Sequence, residues 1–508
     1  MELSIKKMVA TCAVSFVFAA QCFAKDSPNL SRDDLSKIDK KRVALVTKLT
    51  DNFSTAEKFE ARQGGSGTSF KKINRNAFSN PSQNLSFEQQ QNFFLGNALF
   101  RKVWVSSPSS NHASDGLGPL FNARSCQSCH LKDGRGHPPE GDLDATSMLI
   151  RLARPATTKD EKKALADYVK LNVPDRVYGG QMQDRAIQGL DAEGRIGINY
   201  TEIPVTLKGG EVVNLRKPTY SIKELAHGPL EPGTTLSPRI AQPMIGLGLI
   251  EAIHPADIYR LADASDADND GISGKASVVR DVTKEKLTLG KFGWKASQPN
   301  LLKQNDDAFS GDIGISSPII GNHFGDCTEY QTACLQMATG VQPRLGDTET
   351  PDPIMGLVTF YTANLAVPAR RDVSEKPVLA GKKLFYEIGC ASCHNPKFVT
   401  RRDTPSDEHA FQLIWPYSDF LLHDMGEGLA DNQPVGVANG QEWRTPPLWG
   451  IGLTKTVNGH TFFLHDGRAR NLKEAILWHG GEGKPSRDRF KELEKQDREA
   501  LIQFLGSL

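Results

Sequence analysis

The fold of this chain is decided by two short stretches, Cys126–His130 (CQSCH) and Cys390–His394 (CASCH). Each places two thiols three positions apart and an imidazole directly after the second thiol. This spacing is the attachment pattern of a c-type haem, in which both thiols bond to the porphyrin and the imidazole binds the iron. A redox disulfide or half of a zinc site is the alternative for a single copy. Two copies in one chain predict two covalently bound c-type haems, with each histidine as a proximal iron ligand. The predicted attachment residues are Cys126, Cys129, His130, Cys390, Cys393 and His394.

The segment before the first motif is repeated before the second. Leu95–Phe100 (LGNALF) and Ala380–Phe385 (AGKKLF) share a glycine and a phenylalanine at matching positions. Apolar residues at helical spacing predict a closing helix after each motif, at residues 352–366 and 487–508. We therefore predict a mainly α fold with two cytochrome-c-like units, residues 86–372 and 373–508.

The first unit carries a long insertion between its motif and its closing helix. We predict that this insertion is rich in loops and contains a little β structure. Residues alternate between apolar and polar around a Gly-Gly pair in Glu202–Leu215, which predicts a β-hairpin. Residues 25–85 are polar and predict an extended or partly helical N-terminal arm.

The N-terminus is typical of an export signal. Residues 1–24 combine Lys6 and Lys7 with a short apolar run and a small residue at the expected cut. We expect a signal peptide at 1–24 and a mature protein in the periplasm. In that oxidising compartment Cys327 and Cys334, which lack a histidine at haem spacing, predict a structural disulfide. No later apolar run approaches ~20 residues, so no membrane span is expected.

The balance of charged residues limits the classes of partner that the protein is expected to bind. Lys and Arg number 61 against 60 Asp and Glu, a balance that excludes the basic bias of a nucleic-acid binder. We expect a redox protein or a small molecule as electron donor, with peroxide or another small oxidisable molecule as substrate.

Five uncommon strings occur in one order along the chain: Gly116–Cys126, Gly290–Ala296, Leu422–Gly426, Trp443–Gly450 and Phe463–Ala469. They resemble the bacterial di-haem oxidoreductases, sometimes labelled thiol oxidoreductases. The resemblance covers most of residues 86–508 and implies a peroxidase-like reaction. The C-terminal unit is more distantly similar to di-haem cytochrome c peroxidases, where a methionine binds the second iron from the distal side. The matching position here holds His479, so the resemblance implies a bis-histidine second haem; Met425 is the alternative ligand.

The insertion is also where an acid or base for peroxide cleavage is expected, because a plain cytochrome lacks it. The Pro- and Gly-rich run 237–251 contains Arg239, Gln242 and Glu251, and these are the predicted catalytic residues. For the first haem, His227 and His254 are candidate distal ligands, and an open iron is the alternative. A tryptophan could relay electrons between the haems, with Trp294, Trp443 and Trp449 as candidates. A non-catalytic electron carrier and an exported thiol-disulfide enzyme are the competing functions.

A separate acidic loop predicts a calcium site. Asp266, Asp268 and Asp270, followed by Gly271, match the first half of a calcium-binding loop. Position 12 of the loop is Ser277 instead of glutamate, so a ligand from elsewhere must complete the set. An acidic turn without a metal is the alternative.

Overall fold

The helices form short segments spread along the whole chain. The computed structural model describes residues 31–112, 114–139 and 146–508, and the expected signal peptide at 1–24 lies outside the described residues. The helices are α1 Lys37–Thr47, α2 Phe87–Phe100, α3 Cys126–Cys129, α4 Lys159–Ala166, α5 Leu247–Glu251, α6 Pro255–Tyr259, α7 Leu301–Ala308, α8 Asp352–Ala363, α9 Lys376–Glu387, α10 Thr454–Asn458, α11 Leu472–Leu477, α12 Lys484–Glu492 and α13 Lys495–Ser507. In the described part of the chain, no helix has the length and apolar character needed to cross a membrane.

The strands pair two by two, and every sheet in the described residues has two strands. Helices account for 29% and strands for 17% of the chain, so the prediction of a mainly α fold is wrong. The insertion is the reason, because most strand residues lie between residues 148 and 289. The strands are β1 Val105–Ser106, β2 Asp115–Leu117, β3 Leu120–Phe121, β4 Met148–Ala153, β5 Arg185–Ala186, β6 Arg195–Thr206, β7 Val212–Lys223, β8 Thr235–Ile240, β9 Val278–Asp281, β10 Lys286–Leu289, β11 Phe398–Val399, β12 Leu413–Ile414, β13 Leu422–Asp424 and β14 Glu442–Arg444.

Two helix crossings frame the cysteine motifs. Helix α2 packs against α8, and α9 packs against α13. At the first crossing a Cβ on Gly96 would lie 2.2 Å from the carbonyl oxygen of Leu357. At the second, a Cβ on Gly381 would lie 2.0 Å from the carbonyl oxygen of Ala500. The glycine repeated before each motif therefore allows the same close backbone approach in both places.

The predicted closing helices are present with changed bounds. The first is α8, which begins with a proline in its first turn. The second is divided into α12 and α13, because Leu493 takes an extended conformation with φ −63° and ψ 149°. Cys327 and Cys334 are bonded to each other, which confirms the predicted disulfide.

The predicted hairpin is the longest β structure in the described chain. Strands β6 and β7 form an antiparallel ribbon from Arg195 paired with Lys223 to Thr206 paired with Val212. Leu207 at the tip is buried among the residues of α9, α11 and α13. The Lys208 carbonyl accepts a hydrogen bond from the Arg498 guanidinium at 3.3 Å. The insertion of the first unit thus packs on the second crossing.

The N-terminal arm is anchored to the second crossing by one buried carboxylate. Glu60 is 1% exposed and forms ion pairs with Arg370 and Lys382. Burial alone raises the pKa of a carboxyl, yet these two cations hold the pKa of Glu60 below its usual range. The arm is therefore part of the folded body from residue 31 onwards, with α1 as its helix.

Candidate haem-binding site

The first motif holds its histidine in a fixed orientation. Cys126 begins the one-turn helix α3, and His130 follows it. The His130 Nδ1–H donates to the Gln242 carbonyl at 2.8 Å, and the Phe100 ring packs 6.3 Å from the imidazole. Burial lowers the pKa of His130 to about 4, so the ring is neutral. Its Nε2 is left free to bind a metal, the arrangement that metal-binding histidines usually adopt.

The second motif repeats this arrangement. The His394 Nδ1–H donates to the Tyr417 carbonyl at 2.9 Å, and Phe385 packs 6.2 Å from the ring. Burial also lowers the pKa of His394 to about 4. Phe100 and Phe385 are the matching phenylalanines of the sequence repeat, so the repeat positions the proximal imidazole in both copies.

Within the described residues, no disulfide joins the four motif cysteines. Burial raises the pKa of Cys126 and of Cys390 to about 12. A thiol–disulfide enzyme needs a thiolate near neutral pH, so these pKa values argue against that alternative.

Each motif opens onto a cavity. The first cavity has a volume of about 320 Å³ and is lined by His130 and its cysteines. The second cavity has a volume of about 180 Å³ and is lined by His394 and its cysteines. Arg135, Trp294, Arg444 and Pro446 line both, so a thin wall of four residues separates the two cavities.

The cavities are surrounded by buried cations that lack an anionic partner. Arg135, Arg239, Lys291 and Arg444 line the first cavity, and within the described residues none forms an ion pair. Burial lowers the pKa of each arginine to about 10 and that of Lys291 to about 8. The Arg135 Nε is buried without any hydrogen-bond partner. Such groups are costly unless an anion joins them. Each haem carries two propionate carboxylates, so the residues present fit the cofactor that the motifs predict.

A family model described as "Di-haem oxidoreductase, putative peroxidase" matches residues 58–508. The chain belongs to this family. The match spans both motifs and confirms the resemblance expected from the sequence. A search of curated proteins found no significant match. The family name implies haem, in agreement with the cavities and their cations.

In this di-haem oxidoreductase the second cavity is rich in side chains that could bind iron. His479 lies just beyond the end of α11, and its Nδ1–H donates to the Ala475 carbonyl at 2.8 Å. Its Nε2 is therefore available, as in the two proximal histidines. Met425 lines the cavity on the same side, since a Cβ on Gly483 would lie 3.1 Å from His479 Cδ2 and 3.4 Å from Met425 Cε.

Two further histidines line the second cavity, and both rings are held by neighbouring side chains. The Nε2 of His423 contacts Asp419 at 2.8 Å and its Nδ1 contacts Glu482 at 2.6 Å. Burial alone would lower the pKa of His423, but these carboxylates raise that pKa well above its usual value. His465 stacks on Trp443 with ring centroids 3.8 Å apart, and its buried Nε2 lies 3.6 Å from Asp466 Oδ2 without a hydrogen-bond partner.

The first cavity is poor in such ligands. Among the described residues that line it, His130 is the only histidine. Neither candidate distal histidine lines it: His254 contacts Asp33 at 3.0 Å, and His227 packs against Tyr178. Asp312 lines the cavity, and burial raises its pKa.

The predicted catalytic residues are separated by the structure. Arg239 and Gln242 line the first cavity, whereas Glu251 lines neither. The Gln242 carbonyl orients His130, and its side-chain oxygen accepts from Arg444 at 2.8 Å. Glu251 Oε1 accepts from the Leu301 amide at 2.8 Å, at the start of α7. The Arg239 Nε–H donates to Ser237 Oγ at 3.1 Å and a terminal guanidinium N–H donates to Gln433 Oε1 at 3.4 Å, so all three residues have structural partners.

Sequence reasoning missed Arg135, Lys291, Asp312 and Arg444. Arg135 lies five residues after the first motif histidine, and Arg444 lies inside one of the strings that carry the family resemblance. Lys291 and Arg444 each lie inside one of these strings, Gly290–Ala296 and Trp443–Gly450, so a charged residue within a largely apolar string is the signal that points to them. Asp312 carries no comparable signal.

The acidic loop folds around its own backbone. Asp263, Asp266 and Asp268 offer carboxylate oxygens within 4.8 Å of one another. Several of these oxygens accept from loop amides, for example Asp266 Oδ1 from the Gly271 amide at 3.1 Å. The calcium site therefore stays a prediction.

Proposed function

We propose that this protein is an exported, periplasmic c-type di-haem oxidoreductase of the peroxidase type. A peroxide is reduced in the first cavity by electrons that the second cavity receives from a redox protein or a small-molecule donor and then relays. A small oxidisable substrate would instead release its electrons in the first cavity, and they would leave through the redox partner. One observation supports this proposal: among the described residues, the first cavity is lined by one histidine and by Asp312, whereas the second is lined by His479 in addition to His394.

The first cavity supports the chemical step. When bound there, a haem held by His130 would supply the electrons that reduce a peroxide bond. Asp312 is the carboxyl that lines this cavity without an ion pair in the described residues; it accepts from the Gln181 side chain at 2.9 Å, and burial raises its pKa, as suits an acid–base group. Arg239 places a guanidinium at the same cavity, where it can stabilise developing negative charge. Asp312 thus replaces Glu251 as the proposed acid and base.

The second cavity supports electron storage. His394 and His479 both line the second cavity, and the Nδ1–H of each donates to a backbone carbonyl. A haem held there by both imidazoles would supply electron storage instead of a substrate-binding iron. We propose His479 as the distal ligand of the second iron, with Met425 as its alternative.

The deciding experiment measures haem content and spin state of the purified protein. Mass spectrometry should find one haem bonded to the peptide of each motif. Electron paramagnetic resonance should find one high-spin and one low-spin iron, and peroxide or cyanide should alter only the high-spin signal. If both irons are low-spin and neither signal changes with peroxide or cyanide in any redox state, the protein is a non-catalytic electron carrier instead.

The ligand assignment is tested by His479→Ala. Loss of the distal imidazole should convert the low-spin iron to high spin, because one axial ligand is removed. The matched control is His137→Ala, at a histidine that lines neither cavity, and it should leave both signals as in the wild type. An unchanged spectrum in His479→Ala would assign the low-spin ligand to another residue, and Met425→Ala would then be measured.

The acidic loop is proposed to bind calcium, with Asp266, Asp268 and Asp270 among the ligands. Ser273, two residues beyond Gly271, donates to Glu482, which lines the second cavity. Binding to the folded state alone raises stability by mass action. The melting temperature should therefore rise when calcium is added after chelation, and should not rise in Asp266→Asn/Asp268→Asn.

A further inference from the structure

Helix α1 of the N-terminal arm is rigidly docked by one face only. Leu35 and Val43 are buried against Val399 and its neighbours. The Lys397 ammonium donates to the Lys48 carbonyl at 2.6 Å, just beyond the end of the helix. The orientation of α1 on the body is therefore fixed, and its opposite face points outwards.

The outward face presents apolar side chains to solvent. Ile38 and Leu45 are 72% and 76% exposed, and Leu49 is 46% exposed. Ile38 and Leu45 are seven residues apart, about two helical turns, so they lie on the same side. We call Ile38, Leu45 and Leu49 the apolar ridge. One exposed leucine needs no explanation, but Ile38 and Leu45 on one side of a docked helix, with Leu49 two residues beyond its end, together indicate a contact surface.

Positive charge surrounds the apolar ridge. Residues 37–48 contain five cations and one carboxylate, a net charge of +4 in a chain whose total is +1. The carboxylate is Asp39, which already contacts Arg402 at 3.2 Å. Arg42 remains 73% exposed although it lies 3.7 Å from Asp39. The cations are Lys37, Lys40, Lys41, Arg42 and Lys48, and all five are exposed.

We propose that α1 is an interfacial helix that docks the protein on an anionic lipid surface. A helix with an apolar ridge flanked by lysine and arginine lies in the plane of a bilayer, with its apolar side chains at the acyl boundary and its cations among the headgroups. Each cation near an anionic surface adds to the attraction, which salt screens. The exposed side chains of the apolar ridge can enter a bilayer, whose surface is flat and deformable. The residues that line the two cavities lie elsewhere in the molecule.

The test is flotation of the purified, haem-loaded protein with lipid vesicles. Vesicles containing phosphatidylglycerol should carry the protein, and vesicles of phosphatidylcholine alone should not. Raising the salt to about 1 M, which shortens the Debye length to about 3 Å, should release it. Ile38→Ser/Leu45→Ser should lower the bound fraction at least about tenfold, because two apolar side chains no longer enter the bilayer.

The control removes equally exposed apolar side chains from elsewhere. Val169→Ser/Leu345→Ser changes residues that are 64% and 55% exposed and should float like the wild type. Lys41→Glu/Arg42→Glu should also abolish flotation. The haem absorption of every variant reports that it has folded.

Three results would overturn the proposal. They are no flotation with phosphatidylglycerol vesicles, equal flotation with both kinds of vesicle, and an equal loss in the control variant. If vesicles fail but immobilised polyglutamate retains the wild type and not Lys41→Glu/Arg42→Glu, the partner of α1 is an acidic polypeptide instead of a membrane.

Discussion

Glu193 illustrates how a single buried acid controls the pH dependence of the fold. Its side chain is 0% exposed, and it accepts from the Gln183 amide and from the Gln331 side chain, each at 2.5 Å. Burial raises the pKa of Glu193 well above its usual value, because nothing cationic faces it among its described contacts. The folded protein therefore binds a proton at Glu193 that the unfolded chain releases.

We expect the free energy of unfolding to fall as pH rises through this range. The contribution of Glu193 is fully present below the pKa of an unfolded glutamate and is lost as pH rises to the folded pKa. Each tenfold difference in proton affinity between the two states corresponds to about 1.4 kcal/mol. Glu193→Gln should flatten this loss as pH rises above the pKa of an unfolded glutamate, about 4.3, measured by urea unfolding followed by circular dichroism. Glu88→Gln, at an exposed position, is the control. Equal slopes in Glu193→Gln and the wild type would contradict the assignment.

Among individual residues, the sequence predicted those whose function depends on residues adjacent to them in the chain. The two thiols and the imidazole of each motif are adjacent, so their pattern alone indicates a haem. Arg135 and Arg444 meet only because the chain returns to the same wall from positions far apart. The apolar neighbours of Glu251 indicate a desolvated acid, but the fold brings the start of a helix to its carboxylate and occupies it.

The two helix crossings depend on glycines that no other residue can replace. We expect Gly381→Ala to destabilise the protein by about 2–3 kcal/mol or more, because its Cβ would meet the Ala500 carbonyl and Phe504 and push the helices apart. Thermal and chemical unfolding measure the change.

The control is a glycine within another helix. Gly356 lies within α8, and a Cβ added there would meet no atom within 4 Å. Gly356→Ala should therefore stabilise the protein by about 0.5–1 kcal/mol through helix propensity. Similar effects of the two substitutions would mean that the crossing is not close-packed.

Elements with strong periodicity were predicted and the others were not. The first closing helix and the hairpin follow from helical spacing and from alternation around Gly-Gly. The hairpin is longer than predicted, since its strands continue through residues whose pattern is weak but whose pairing is regular. The short strand pairs escaped prediction because strands of two or three residues, such as β3 and β11, have no period to detect.

Trp294 joins the two halves of the molecule. It lines both cavities, and its indole N–H donates to the Ile240 carbonyl at 2.9 Å. We expect Trp294→Leu to slow electron transfer between the haems about tenfold, which corresponds to about 1.4 kcal/mol in the barrier. Rapid reduction followed by absorption spectroscopy measures the rate. Trp449→Leu is the control, because Trp449 lines only the first cavity. Equal rates in the two variants would remove Trp294 from the path.

For the whole molecule, the sequence predicted two repeats and missed how they interlock. The division at residue 372 stays a prediction. The ribbon of the insertion packs on the second crossing, and the arm pairs with Arg370 and Lys382. These are long-range contacts between stretches that each look self-contained in the sequence, so no local pattern reveals them.

The pairing of Glu60 has a consequence for biosynthesis. Its partners follow it by 310 and 322 residues, so they leave the ribosome long after Glu60 has emerged. Until then the Glu60 carboxylate stays hydrated, and the nascent arm lacks the residues against which it packs in the folded protein. The first motif is thus translated well before the body around it can close, and if it carries a covalent haem as we propose, its thiols are accessible for attachment during that interval.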